Sequence, residues 1–190
     1  MFIQTEATPN PQVLKFLPGR EILPGGSREF SDAAEAAASP LARALFALPG
    51  VTRVYFGDEF LTVTKDAERD WSHLKAPILA EIMDHFTSGA ALLEDGGEEA
   101  SASEETYEGD TAAIVAEIKD LLDTRIRPAV AQDGGDILFS KFEPDTGVVW
   151  LHMRGACAGC PSSAATLKAG VENMLRHYVP EVTRVEQVAL

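Results

Sequence analysis

Apolar residues recur along this chain with two alternating periods. FIQTEA and QVLKFL have the short, half-apolar pattern of strands and are separated by the turn-forming TPNP. From Ser31 onward, SDAAEAAASPLARALFAL is alanine-rich and spaced for a helix, with Ser31 or Asp32 as its start and Pro40 as an interruption. VTRVYF and EFLTVTK straddle Gly57-Asp58, which predicts a hairpin. Leu74, Ile78, Ile82 and Phe86 then fall at every fourth position and predict a helix over 71–86.

The second half repeats the alternation in a different order. Ile114, Ile118, Leu121, Leu122 and Ile126 form a helical stripe, which Pro128 is expected to end or bend. Gly134-Gly135 supplies a backbone turn before DILFSKF, and PDTG turns the chain back into VVWLHM. Ala164, Leu167, Val171, Leu175 and Tyr178 mark another amphipathic helix, and VTRVEQV reads as a closing strand. Helix, two antiparallel strands, helix and strand predict an α+β layer, α-β-β-α-β in order.

Between the halves lies EDGGEEASASEETYEGD, with a single aromatic and no aliphatic larger than alanine. Such a segment buries too little apolar area to offset its ordering entropy, so a flexible acidic linker is expected over 94–110. The fold class expected is therefore two small α+β domains, over 1–93 and 111–190. The net charge of −14 is concentrated in that linker, which holds 8 acids and no base. The flanks hold 12 acids against 8 bases and 10 against 8, so no phosphate-neutralising patch is evident and nucleic acid is not expected as a partner. No run of about eighteen apolar residues occurs, so no membrane partner is expected either. The first residues lack the layout of a secretion signal or organelle presequence. The expected compartment is the bacterial cytoplasm, with the mitochondrial matrix, for a processed form, as the alternative.

Candidate chemistry is confined to RGACAGCPSS, which contains both cysteines of the chain, Cys157 and Cys160. Pro161 suits the first position of a helix, which makes Cys160 the expected N-cap. A helix N-terminus offers unpaired amides and partial positive charge, both of which favour thiolate over thiol. Three uses of such a pair are open. A thiol–disulfide oxidoreductase would put the motif after an early strand of a βαβ unit, whereas this one is expected between an antiparallel strand and a late helix. A zinc-binding interaction module needs four ligands, and only His73, His85, His152 and His177 are available to supplement the sulfurs. An iron–sulfur cluster usually takes four thiolates, which two copies of the chain would supply together. Two possible carboxylate pairs, Asp32 with Glu35 and Asp66 with Asp70, are read as solvated helix-surface charge, so no catalytic residue is assigned and no enzyme is expected.

QDGGDI, a hairpin and GACAGCPSSAATLKAGVE together resemble the C-terminal domain of NifU and the NifU-like (Nfu-type) iron–sulfur proteins. FIQTEATPNPQVLKFLPG with LFALPGVTRVYFGDEFLTVTK resembles the N-terminal domain of the Nfu-type proteins. The resemblance implies a [4Fe–4S] scaffold or carrier that is a homodimer when loaded. It would receive a cluster from upstream assembly proteins and deliver it to apo iron–sulfur clients. By position, Cys157 and Cys160 would be its metal and cofactor ligands. Gly134, Gly135 and Asp136 match the DGGD segment and are given a structural role as a glycine turn.

Overall fold

In the computed structural model, residues 2–94, 106–158 and 161–188 are described. Of the linker expected over 94–110, residues 95–105 lie outside the described residues, as does the N-cap expectation for Cys160; Gly109 and Asp110 already belong to a helix. The chain divides into two compact units, Met1–Glu99 and Ala100–Leu190.

The first unit is a five-stranded antiparallel sheet with two helices. Its strands are β1 (Gln4–Ala7), β2 (Val13–Leu17), β3 (Arg28–Phe30), β4 (Val51–Phe56) and β5 (Leu61–Lys65), in spatial order β1-β2-β5-β4-β3. β3 was not expected from the sequence. It has three residues of which only Phe30 is buried, too few to show a period. The expected first helix is divided. A 3₁₀ turn spans Glu35–Ala38, and α1 spans Pro40–Phe46. The cause is Pro40, which disfavours helical geometry in the residue before it. Ser39 is extended instead (φ −136°, ψ 122°), and its buried hydroxyl accepts the Ala42 N–H at 3.2 Å. Helix α2 (Trp71–Ser88) starts on Asp70, whose carboxylate accepts the Ser72 N–H at 2.8 Å. Leu41 and Leu45 of α1 and Leu74, Ile78 and Ile82 of α2 bury against Phe16, Leu61, Val63, Val54 and Phe56 of the sheet. Each such side chain contributes about 1.5–3 kcal/mol by leaving water.

The second unit has the expected α+β character, with one change in its opening helix. Helix α3 (Gly109–Leu121) runs into a π-helical turn (Leu122–Ile126) and then α4 (Arg127–Gln132). Pro128 has no N–H, and its ring would press on the carbonyl four residues earlier in a regular helix. The chain widens by one residue instead, so that the Arg127 N–H reaches Leu122 O. Pro128 thus bends the helix without ending it, and Ile118, Leu122, Ile126 and Val130 all remain buried. Strands β6 (Gly135–Glu143) and β7 (Val148–Gly155) pair antiparallel. After α5 (Pro161–Tyr178), strand β8 (Arg184–Gln187) pairs parallel to β7. Val149, Leu151 and Met153 of β7 share the core with Val171 and Leu175 of α5 and Val185 of β8. Two hydrogen bonds fix the described residues on either side of 95–105. The Glu94 N–H donates to Ala38 O at 2.8 Å, and the Tyr107 hydroxyl accepts the Phe142 N–H at 2.8 Å.

His85 sits on the buried face of α2, 8% exposed, with its ring edge-on to Phe86. Burial, and then the charge of Arg20, lower its pKa below the ordinary 6.5. The unfolded chain therefore binds a proton at a higher pH than the folded one, and stability falls as pH drops through the ordinary value. We expect the urea midpoint of the first unit to fall between pH 7.5 and 5.5, and to fall less in His85→Gln. Trp71 fluorescence in a Trp150→Phe chain, where it is the single tryptophan, reads that unit alone. Equal pH slopes in the two proteins would contradict this assignment.

Candidate functional site

Strand β7 ends at Gly155, whose φ of +63° turns the chain out of the sheet. The turn closes with the Ala158 N–H donating to Gly155 O at 3.1 Å, and Cys157 lies inside it. Helix α5 begins at Pro161, as the fixed φ of proline favours. Cys157 therefore follows the carboxyl end of a strand and precedes the amino end of a helix. Cys157 belongs to the domain core and is 7% exposed. Cys160, the other expected ligand, lies outside the described residues.

The DGGD segment faces this turn across the hairpin. Gly135 is the register partner of Gly155, and Asp136 that of Arg154. The Ala156 N–H donates to Gly134 O at 3.1 Å, so the glycine turn and the cysteine turn are bonded to each other. Gly134 has φ +80°, a conformation in which an L side chain is strained. Gly135 is required for a different reason. A Cβ there would collide with Cys157 Sγ and would approach Arg154 O to 3.0 Å and Cys157 Cβ to 3.1 Å. The role assigned from sequence, a plain glycine turn, therefore describes only Gly134.

Asp136 is buried, 4% exposed, and bound on three sides. Arg127 Nε donates to its Oδ1 at 2.8 Å and Nη2 to its Oδ2 at 3.0 Å, while the Ile137 N–H donates to Oδ1 at 2.9 Å. Arg127 Nη1 also donates to Asp123 at 3.1 Å. The hydrogen bond to Asp136 is the largest cause raising the guanidinium pKa further above its ordinary range, against the opposing effect of burial. A forked, charge-assisted pair of this kind holds the start of β6 to the start of α4. Sequence reading missed Arg127, although the nine-residue interval to Asp136 spans a short helix and a glycine turn that fold it back.

The rival chemistries meet a mixed outcome. β7 is antiparallel to β6 and parallel to β8, so the cysteine motif does lie at the β–α turn of a βαβ crossover. The topological objection to a dithiol is to that extent corrected, because only tertiary pairing reveals the direction of β8. His152, one of the four histidines available to a zinc site, lies on the strand face opposite the buried Leu151 and Met153. Burial, then the charge of Arg154, lowers its pKa. Among the described residues no group of three His, Cys, Asp or Glu side chains is placed to hold a metal ion. The possible carboxylate pairs are occupied with backbone amides. Asp32 accepts from Ala34 and Glu35, Glu35 from Ser31, Asp66 from Glu68 and Arg69, and Asp70 from Ser72. No described helix is long and apolar enough to cross a membrane.

Comparison with known proteins covers both units. Residues 3–89 match the family described as scaffold protein Nfu/NifU N terminal, and residues 118–186 match the NifU-like domain. The chain is 51% identical over 189 residues to the Homo sapiens protein named NFU1 iron-sulfur cluster scaffold homolog, mitochondrial, covering 99% of this chain and 72% of that one. It is 50% identical over 187 residues to NifU-like protein 4, mitochondrial, of Arabidopsis thaliana, covering 98% of this chain and 66% of that one. It thus spans about two thirds of the length of these curated relatives. The solution structure of a NifU-like protein from Saccharomyces cerevisiae is similar over 50% of this chain and 86% of its own, with 31% identity and a TM-score of 0.46.

Removing Arg127 would leave the Asp136 carboxylate buried without its main partner. Arg127→Ala is expected to destabilise the second unit by on the order of 2–4 kcal/mol, somewhat less than breaking a fully buried pair because the arginine is partly exposed. Asp136→Ala in the same background should add little, since its partner is already gone. Urea unfolding followed by Trp150 fluorescence in a Trp71→Phe chain measures the cycle. Strict additivity of the two losses would show that the pair is not coupled.

Proposed function

Because the chain belongs to the family of NifU-like iron–sulfur cluster scaffold proteins, we propose that it carries a [4Fe–4S] cluster held between two copies by Cys157 and Cys160 of each, and transfers it to apo-proteins. Cys157 carries this reading: it is held by a dedicated glycine turn where a strand ends and a helix is about to begin. Each chain brings two thiols, and such a cluster usually takes four, so pairing of copies completes the set. Four thiolates around a [4Fe–4S]²⁺ core leave a double negative charge, which two helix N-termini would moderate. Holding the cargo across a subunit boundary ties its retention to association of the copies, which suits temporary custody.

Transfer is ligand exchange and not redox chemistry. A client thiolate forms each new bond to iron as the bond to a carrier cysteine breaks. The released cysteine takes up the proton that the client thiol gave up, and no electron changes hands. In this role the chain is a carrier rather than an enzyme, with an upstream assembly protein as donor and apo iron–sulfur proteins as recipients. The first unit, whose carboxylates cap and brace its own backbone, is assigned to recognising those partners. The relatives carry the label mitochondrial, which supports the mitochondrial alternative over the bacterial cytoplasm.

Anaerobic reconstitution with iron and sulfide tests the proposal. The expected product is a dimer with broad visible absorption and about four irons, and both signals should vanish in Cys157→Ser and in Cys160→Ser. A loaded single chain with its full iron complement and no added thiol would overturn the bridging arrangement. Colourless protein retaining zinc, or catalytic reduction of disulfides by the cysteine pair, would transfer the assignment to the corresponding rival.

A further inference from the structure

We infer that Gly135 is a seat for the Cys157 thiol in the cargo-free chain, and that this one position decides whether a cluster-binding sulfur faces into its own domain or out of it. The inference rests on the carrier reading for what the sulfur binds, but its geometry stands independently. The two glycines of the DGGD segment have separable duties. Gly134 needs its glycine for conformation, since φ is +80°. Gly135 is not in the left-handed region, and its glycine is required by space: the sulfur of Cys157 lies where any side chain at 135 would begin.

The surroundings make this a fixed seat. Gly135 and Gly155 are register partners on β6 and β7, and the Ala156 N–H is bonded to Gly134 O. The cysteine turn therefore cannot drift from the glycine turn without breaking the ladder between the strands. The Arg127 fork holds Asp136 and with it the first residues of β6. Cys157 is packed in the same core as Met153, Val171 and Leu175 and is 7% exposed. A ligand shared between two copies has to reach the outside of its domain. Seated and cluster-bound are thus two positions of one sulfur, and loading requires it to leave the seat. In the seated position the thiol is shielded from bulk reagents, which keeps a cargo-free carrier from losing one of its two ligands to adventitious reaction.

The test needs no iron. In a full-length Cys160→Ser chain Cys157 is the single thiol, and its rate of reaction with Ellman's reagent or iodoacetamide reports its position. Adding Gly135→Ala should raise that rate by about tenfold or more, because the methyl takes the seat, while the β7 amides keep their protection from hydrogen exchange. A rate within about twofold of the parent would overturn the inference. So would a rise matched by an equal loss of β7 protection, since that would mean the domain had opened. A double-mutant cycle covers the case in which Gly135→Ala folds poorly. The fall in urea midpoint caused by Gly135→Ala should be markedly smaller when residue 157 is alanine. Equal falls in the two backgrounds would show that the sulfur is not what the methyl meets. Failure of these experiments leaves reconstitution to judge the carrier reading, and failure of reconstitution leaves the seat intact.

Discussion

One small volume, the space above the Gly135 backbone, sets the terms for the second unit. It can be occupied by the Cys157 sulfur or by a side chain at 135, but not by both. Everything adjacent is consistent with keeping it for the sulfur. The antiparallel register sets glycine against glycine at 135 and 155, and a slip of one residue would bring Asp136 under the cysteine turn instead. Correct register in turn places the Asp136 carboxylate inside the domain, where an unpaired charge is expensive. Arg127 meets that demand from α4, and α4 exists in its present form because the helix widens around Pro128 and continues. Backbone space, register, ion pair and helix bulge thus form one chain of dependence ending at the thiol.

The two units use their polar groups in contrasting ways. In the first, the acidic side chains at helix starts accept backbone N–H groups, and the apolar residues fill a conventional sheet-and-helix core. Its buried polar side chains, Lys15, Thr62 and His85 among them, are spread over β2, β5 and α2. In the second, glycines with positive φ, a buried forked ion pair and a cysteine in the core gather at one end of a hairpin. Such features cost stability unless each is matched by a partner. Their concentration at the cysteine turn is what singles it out as the candidate site.

Much of the fold was legible from local pattern. The β4–β5 and β6–β7 hairpins follow from strand-like runs on either side of turn residues, and α2, α3 and α5 from apolar residues at helical spacing. Three features were not. β3 is too short to carry a period. At Pro128 an end or a bend was expected, but not that the helix would widen into a π turn and run on, because the burial of Ile126 and Val130 is a tertiary contact. The βαβ crossover depends on which edge of β7 receives β8, and pairing direction leaves no local trace. At the site, the cysteines stood out by chemistry, but the partners Gly135 and Arg127 did not. A glycine needed for space looks the same in sequence as one needed for conformation.

By itself the amino-acid sequence determined most of the elements, the two-unit division in outline, the candidate ligand side chains and, through its motifs, the family. Those properties depend on residue type and short spacing, which the chain carries whatever its fold. Only the tertiary structure decided that Cys157 faces inward over Gly135, that Arg127 holds Asp136, and that the motif closes a parallel crossover. Each of these is a contact across many residues of chain, and excluded volume and charge pairing between distant segments come into existence only when the sheet has formed.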